Sequence, residues 1–202
     1  MGANAWLAPH LHVVEISAVV VVLSSDSERG HLMILAALTV VHVAISLVAI
    51  LSGLVVVFGM LSGKRLDGWT GLFLATTVLT SVSGFFFPFK HFTPGDAVGI
   101  ISLVVLAVAI RARYRRRLAG GWRRTYAISA VVALYLNVFV LIVQLFEKVP
   151  VLKALAPTQS EPPFKVTQVV VMALFVVLGI AAAKRFRSDQ TVEARDERAR
   201  AA

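Results

Sequence analysis

Five histidines are the nitrogen ligands of this sequence, and it contains no cysteine, which excludes thiolate nucleophiles, disulfides and Cys-held metal or iron–sulfur centres. His42 is the one histidine within a long apolar block. An ionisable side chain there must face protein, water or a ligand, so it is a candidate functional group. The plainer alternative is a neutral imidazole hydrogen-bonded between helices, since buried polar groups are nearly always paired.

Thr39, His42, Ser46, Ala49 and Gly53 follow steps of three and four and share one helical face. The same spacing puts Tyr126, Ala130, Ala133, Asn137, Gln144 and Lys148 within about 60° on another helix, while Thr76, Thr77, Thr80, Ser81, Ser83 and Gly84 cover about 160° of a third. Small residues on such faces let helices approach closely. Hydrogen bonds between them are worth about 0.6 kcal/mol each in lipid. Beyond packing, His42, Ser83, Asn137, Gln144 and Gln168 are expected to line a polar pocket in the outer half of a bundle, below loops carrying His91, Asp96 and Glu161.

A haem in that pocket needs two axial ligands at matching depth on facing helices. His42 lies about 10 Å inside the outer boundary by helical rise, whereas His91 follows Pro88 at the surface, so the pair is poorly matched. A metal held by His42, His91 and Glu161 or Asp96 has no supporting ligand spacing, and His10 with His12 form only a weak chelating pair. The sequence has no phosphate-binding glycine loop, no G-x-S-x-G elbow and no H-E-x-x-H pair, so no catalytic residue is assigned.

The elements that must position these residues follow from composition. Hydrophobic residues make up 58% and charged residues 15% of the 202, against about a quarter charged in soluble domains. Apolar blocks of 18 or more residues match the roughly 30 Å hydrocarbon core at 1.5 Å per helical residue. An all-α, polytopic transmembrane bundle of about five spanning helices is expected, over 35–60, 69–89, 96–113, 126–146 and 166–183. Unbroken blocks of this length do not suit the alternating strands of a barrel.

Lys64, Arg65, Arg111, Arg113, Arg115, Arg116, Arg117, Arg123, Arg124, Lys184, Arg185 and Arg187 flank one side of these blocks, and only Arg29, Lys90, Lys148, Lys153 and Lys165 flank the other. The positive-inside tendency puts the first group in the cytoplasm, with the start of the first strong span outside and the C-terminus inside. The net charge of +9 is therefore a topology signal before it is a nucleic-acid one, and no nucleic-acid partner is expected. Arg113, Arg115, Arg116, Arg117, Trp122 and Arg123 are candidate contacts to lipid headgroups, although topology alone explains the charge.

Thr93-Pro94-Gly95-Asp96 predicts a capped helix start. Pro150, Pro157, Pro162 and Pro163 predict an ordered outer loop over 148–164, with 151–155 resting on the membrane surface and Pro162 opening the last helix. Residues 1–32 form an N-terminal extension, 33–187 the helical domain and 188–202 a charged cytoplasmic tail. Within the extension, 13–23 is apolar apart from Glu15 but short for a span. It is interfacial or re-entrant, a sixth crossing, or a non-native stretch preceding an initiator at Met33.

The run Phe85-Phe86-Phe87-Pro88, the arginine loop, the segment 133–139 (Ala-Leu-Tyr-Leu-Asn-Val-Phe) and the outer stretch 156–164 (Ala-Pro-Thr-Gln-Ser-Glu-Pro-Pro-Phe) resemble small multi-pass membrane proteins of bacteria with no assigned activity. The resemblance covers about 35–183. It implies a bacterial inner membrane and carries over no chemistry. The expected role is a binding or accessory membrane subunit in the lipid bilayer, as a homo-oligomer or with a membrane-protein partner. The alternatives are a redox protein holding haem, quinone or metal near His42, and an oligomeric small-solute transporter.

Overall fold

In the computed structural model the described residues are 8–87, 94–186 and 200, with side chains from 29 onward except at 31 and 94. Every regular element among them is helical: α1 (Ala8–Leu61), α2 (Asp67–Gly84), α3 (Pro94–Ile110), α4 (Trp122–Lys148), α5 (Pro150–Leu155) and α6 (Pro162–Arg185), with a five-residue π-helical turn at Arg111–Arg115. The protein is thus an all-helical bundle. Four of its helices are long and apolar enough to cross a membrane: Leu32–Leu61, Gly95–Arg115, Trp122–Lys148 and Pro162–Arg185. That is close to the expected five. The fifth expected span is α2, whose 18 residues include Asp67, six Ser or Thr and three glycines, which lowers its hydropathy.

The chain divides into two compact units, Met1–Val41 and His42–Ala202. In the first, the described residues are helical, and Leu32, Met33 and Ile34 are exposed. Residues 13–23 lie within α1, so no separate re-entrant turn interrupts them. Everything below concerns the second unit.

Its helix boundaries follow from local chemistry. At the end of α1, Lys64 N–H donates to Gly59 O (2.8 Å) and Gly63 N–H to Met60 O (3.1 Å), the paired bonds of a Schellman ending. That ending requires the left-handed conformation Gly63 adopts (φ +71°). α2 was expected to run to 89 but stops at Gly84, where Phe85 and Phe86 N–H groups turn back to Val82 and Ser83 carbonyls three residues earlier. Pro94 opens α3 and Pro162 opens α6, as expected for residues whose missing N–H costs nothing in a first turn. Residues 150–155 are a short helix, α5. The Thr93 cap and the tail, apart from Arg200, lie outside the described residues.

α4 is the hub, packing against α3, α5 and α6. α1 reaches it at Gly53, where an added Cβ would sit 2.7 Å from Leu134 Cδ1 and 2.8 Å from Phe73 Cε2 of α2. Ala49, Ala130 and Ala133 are fully buried, so the small residues of both stripes lie at helix contacts. Large apolar side chains face outward instead along α6, including Val169, Val170, Leu174, Val177 and Ile180. A water-soluble protein does not expose such a continuous apolar helix, whereas hydrocarbon covers it at no cost.

Candidate functional site: a polar level between four helices

The contacts between helices fix their register. Gly53 on Phe73 and His42 on Ser83 make α1 and α2 antiparallel. Tyr126 Oη donates to Thr70 Oγ1 and Asn137 Nδ2 to Thr77 Oγ1, both at 3.4 Å, which makes α2 and α4 parallel. The ring pairs Tyr126–Phe186, Tyr135–Phe175 and Phe146–Phe164 run α6 antiparallel to α4. In this register Ser46 is level with Thr80 and His42 with Ser83, about one turn or 5.4 Å apart, and Gln168 falls between the two pairs, level with Val82, so all five lie within about one turn.

His42 Nδ1 is 2.7 Å from Ser83 Oγ, and Ser83 Oγ donates to Thr80 O at 3.1 Å. Where the serine proton goes to Thr80 O, Ser83 accepts from the imidazole and His42 carries its proton on Nδ1, which leaves a lone pair on Nε2; the other tautomer reverses the His42–Ser83 donation. Phe87 holds the ring edge-on, with centroids 5.3 Å apart. Gly84 sits beside it, its missing Cβ 3.9 Å from His42 Cε1.

Gln168 is buried at 9% exposure. Its Nε2 donates to Phe139 O of α4 at 3.3 Å, which fixes the amide orientation, yet its Oε1 is buried without a donor. Thr80 Oγ1 is buried without a partner too. An unpaired buried acceptor costs about 1–3 kcal/mol. The other hydroxyls on these faces do not share that state, because Ser46, Ser52, Thr76, Thr77, Ser81 and Ser129 all donate to carbonyls three or four residues earlier on their own helices.

The residues expected to form one pocket are therefore divided. His42 and Ser83 are bonded to each other and Gln168 lies near their level on α6, but Asn137 is bonded to Thr77. Gln144 is exposed. In the register above it is level with Gly84, where α2 ends, so nothing of α2 remains to cover it. Thr80 was legible only as one member of a hydroxyl stripe. Its distinguishing feature, a hydroxyl that does not bond back to its own helix, depends on rotamer and not on spacing.

The loop between α5 and α6 is built around Glu161. Its carboxylate accepts from Thr158 Oγ1 (2.8 Å), Thr158 N–H (3.2 Å) and Ser160 N–H (3.0 Å). Desolvation pushes its pKa up, but these donors together outweigh it and hold the carboxyl below its ordinary value. Gln159, left-handed at φ 58°, ties the loop to α4 by donating from Nε2 to Val143 O at 3.2 Å. Asp96 stands in the first turn of α3 and His91 lies outside the described residues. Among the described residues no three His, Asp or Glu side chains converge as metal ligands.

At the opposite end, Arg113 departs from its expected place among headgroup contacts. It is buried at 7% exposure, paired with Asp67, and stacked 5.4 Å from the Tyr126 ring centroid and 5.9 Å from that of Tyr114. The π-helical turn rotates it inward, because Arg116 N–H reaches back five residues to Arg111 O (3.0 Å). Arg115, Arg116 and Arg117 stay exposed, and Trp122 is half-buried beneath the Arg116 guanidinium at 5.0 Å.

No protein-family model, no curated protein and no solved structure matches this chain.

Proposed function

We propose that this protein is a binding subunit of a bacterial inner membrane, in which a ligand group that donates hydrogen bonds enters the polar level formed by Thr80 and Gln168. The observation that carries this is Gln168 Oε1, a carbonyl oxygen buried without a donor while the amide nitrogen beside it is anchored on α4. A fold has no use for that orphan, and a ligand donor would remove its cost. The positive-inside bias supports an arrangement with this level in the outer half, α2 as a fifth crossing and the Glu161 loop on the outer surface. That loop, pre-ordered by its own carboxylate, suits a partner-facing role for an accessory subunit.

The test is Gln168→Leu in the full chain. A residue kept for ligand binding is dispensable for folding, so the variant should melt at or above the wild-type temperature in ligand-free detergent. A variant melting clearly below wild type would assign Gln168 to the α6–α4 contact and sink the proposal.

A second function is favoured by one specific feature, the anchoring of His42 through Nδ1 on Ser83 Oγ, which leaves Nε2 as the nitrogen for a ligand. Metal-bound histidines commonly fix their other nitrogen through a hydrogen bond, as Nδ1 does here with Ser83. A redox subunit holding a metal, haem or quinone against Nε2 predicts a chromophore or near-stoichiometric metal that is lost in His42→Ala.

A further inference from the structure

We propose that the loop joining α3 to α4 is a built platform for anionic phospholipid headgroups. It connects two helices long and apolar enough to span, Gly95–Arg115 and Trp122–Lys148, so it lies at the level of the lipid phosphates and not in bulk water. Residues 111–124 contain seven arginines and no acidic residue. Arg113 is withdrawn into the ion pair with Asp67, which leaves Arg111, Arg115, Arg116, Arg117 and Arg124 exposed.

Charge bias alone needs no ordered loop, but this loop is ordered. Arg117 and Leu118 adopt left-handed conformations (φ 47° and 59°), each costing roughly 1–2 kcal/mol for a residue with a side chain. They are held there by Leu118, which is 1% exposed, and by its N–H donating to Ala112 O at 3.1 Å. Ala119 N–H then closes onto Arg116 O at 2.9 Å. Three consecutive guanidinium groups are thus presented from a fixed backbone, one of them stacked on Trp122 at the start of a span, where an indole favours the headgroup layer. The planar guanidinium fork matches phosphate oxygens in pairs, which ammonium does not. Charge, depth and order together select a lipid phosphate of the adjoining leaflet.

The experiment uses the full chain in mixed micelles of equal phosphatidylglycerol and phosphatidylcholine, washed and analysed for retained lipid by mass spectrometry. Wild type should retain phosphatidylglycerol several-fold over phosphatidylcholine. R115Q/R116Q/R117Q should lose that preference, and R115K/R116K/R117K should keep a reduced one. The lysine variant also decides the matter if the glutamine variant fails to fold: a preference equal to wild type would overturn the role of the guanidinium. Equal retention of the two lipids by wild type would overturn the platform. So would displacement of phosphatidylglycerol by soluble glycerol phosphate as readily as by phosphatidylglycerol vesicles, which would assign a free-phosphate site.

Discussion

His42 Nδ1 and Ser83 Oγ, 41 positions apart in sequence, lie 2.7 Å apart between α1 and α2, and the same Oγ lies 3.1 Å from Thr80 O. Two helices are latched by this bond, and its direction is tied to the tautomer of the imidazole. This polar contact differs from Asn137 with Thr77, where Asn137 Nδ2 donates to Thr77 Oγ1 at 3.4 Å and Thr77 bonds back to Phe73 O at 2.7 Å.

Removing the latch should therefore be visible at the ring itself. In Ser83→Ala, Nδ1 loses its partner and His42 should shift from one predominant tautomer to a mixture. Nitrogen-15 chemical shifts of the His42 ring, assigned by comparison with His42→Gln, would record it. An unchanged ring signal would show that Ser83 does not set the tautomer.

At the other end of the bundle, Asp67 should stabilise the fold through Arg113. Asp67→Asn leaves a guanidinium with 6% side-chain exposure facing a neutral amide. The expected loss is about 1–2 kcal/mol, below the 3–5 kcal/mol of a fully buried broken pair, because Asp67 is itself largely exposed and the Tyr114 and Tyr126 rings still face the cation. Denaturation in mild detergent measures it. No loss would mean that the aromatic rings alone hold Arg113.

The Glu161 loop should be acid-sensitive. Its carboxyl titrates below the ordinary value when the loop is folded, so its contribution is complete above the ordinary glutamate range and fades as pH falls through the lowered value. Amide exchange at Thr158 and Ser160, corrected for intrinsic rates, should rise over that acidic window. Glu161→Gln should show raised exchange already at neutral pH. Exchange independent of pH in wild type would remove the carboxylate from the loop's ordering.

Much of the bundle was legible because apolar block length and proline position are direct physical constraints: α4 and α6 contain their expected spans, and Pro94 and Pro162 open helices where their missing N–H is harmless. α2 was less legible. Its apolar run continues through Phe85, Phe86 and Phe87, so hydropathy carries the span past Gly84, where the backbone has turned. That early end also leaves Gln144 uncovered, although its helical angle matches that of buried Asn137. Spacing reports angle and is silent on where the neighbouring helix stops. Arg113 was hidden for a related reason. In an arginine-rich loop all charges look solvated, and only the π-helical turn distinguishes the one directed at Asp67 and Tyr126. Gln168 was singled out by type and depth, but its unpaired oxygen is a matter of geometry.

The measurement that bears most directly on the polar level is native mass spectrometry of the full chain, released from membrane nanodiscs without detergent exchange, alongside Gln168→Leu and Thr80→Val. The account predicts that wild type carries a bound small molecule, near one per chain, that is lost or sharply reduced in both variants while their helical content is unchanged. Wild type emerging at its bare mass, or a bound species retained equally by both variants, would contradict it.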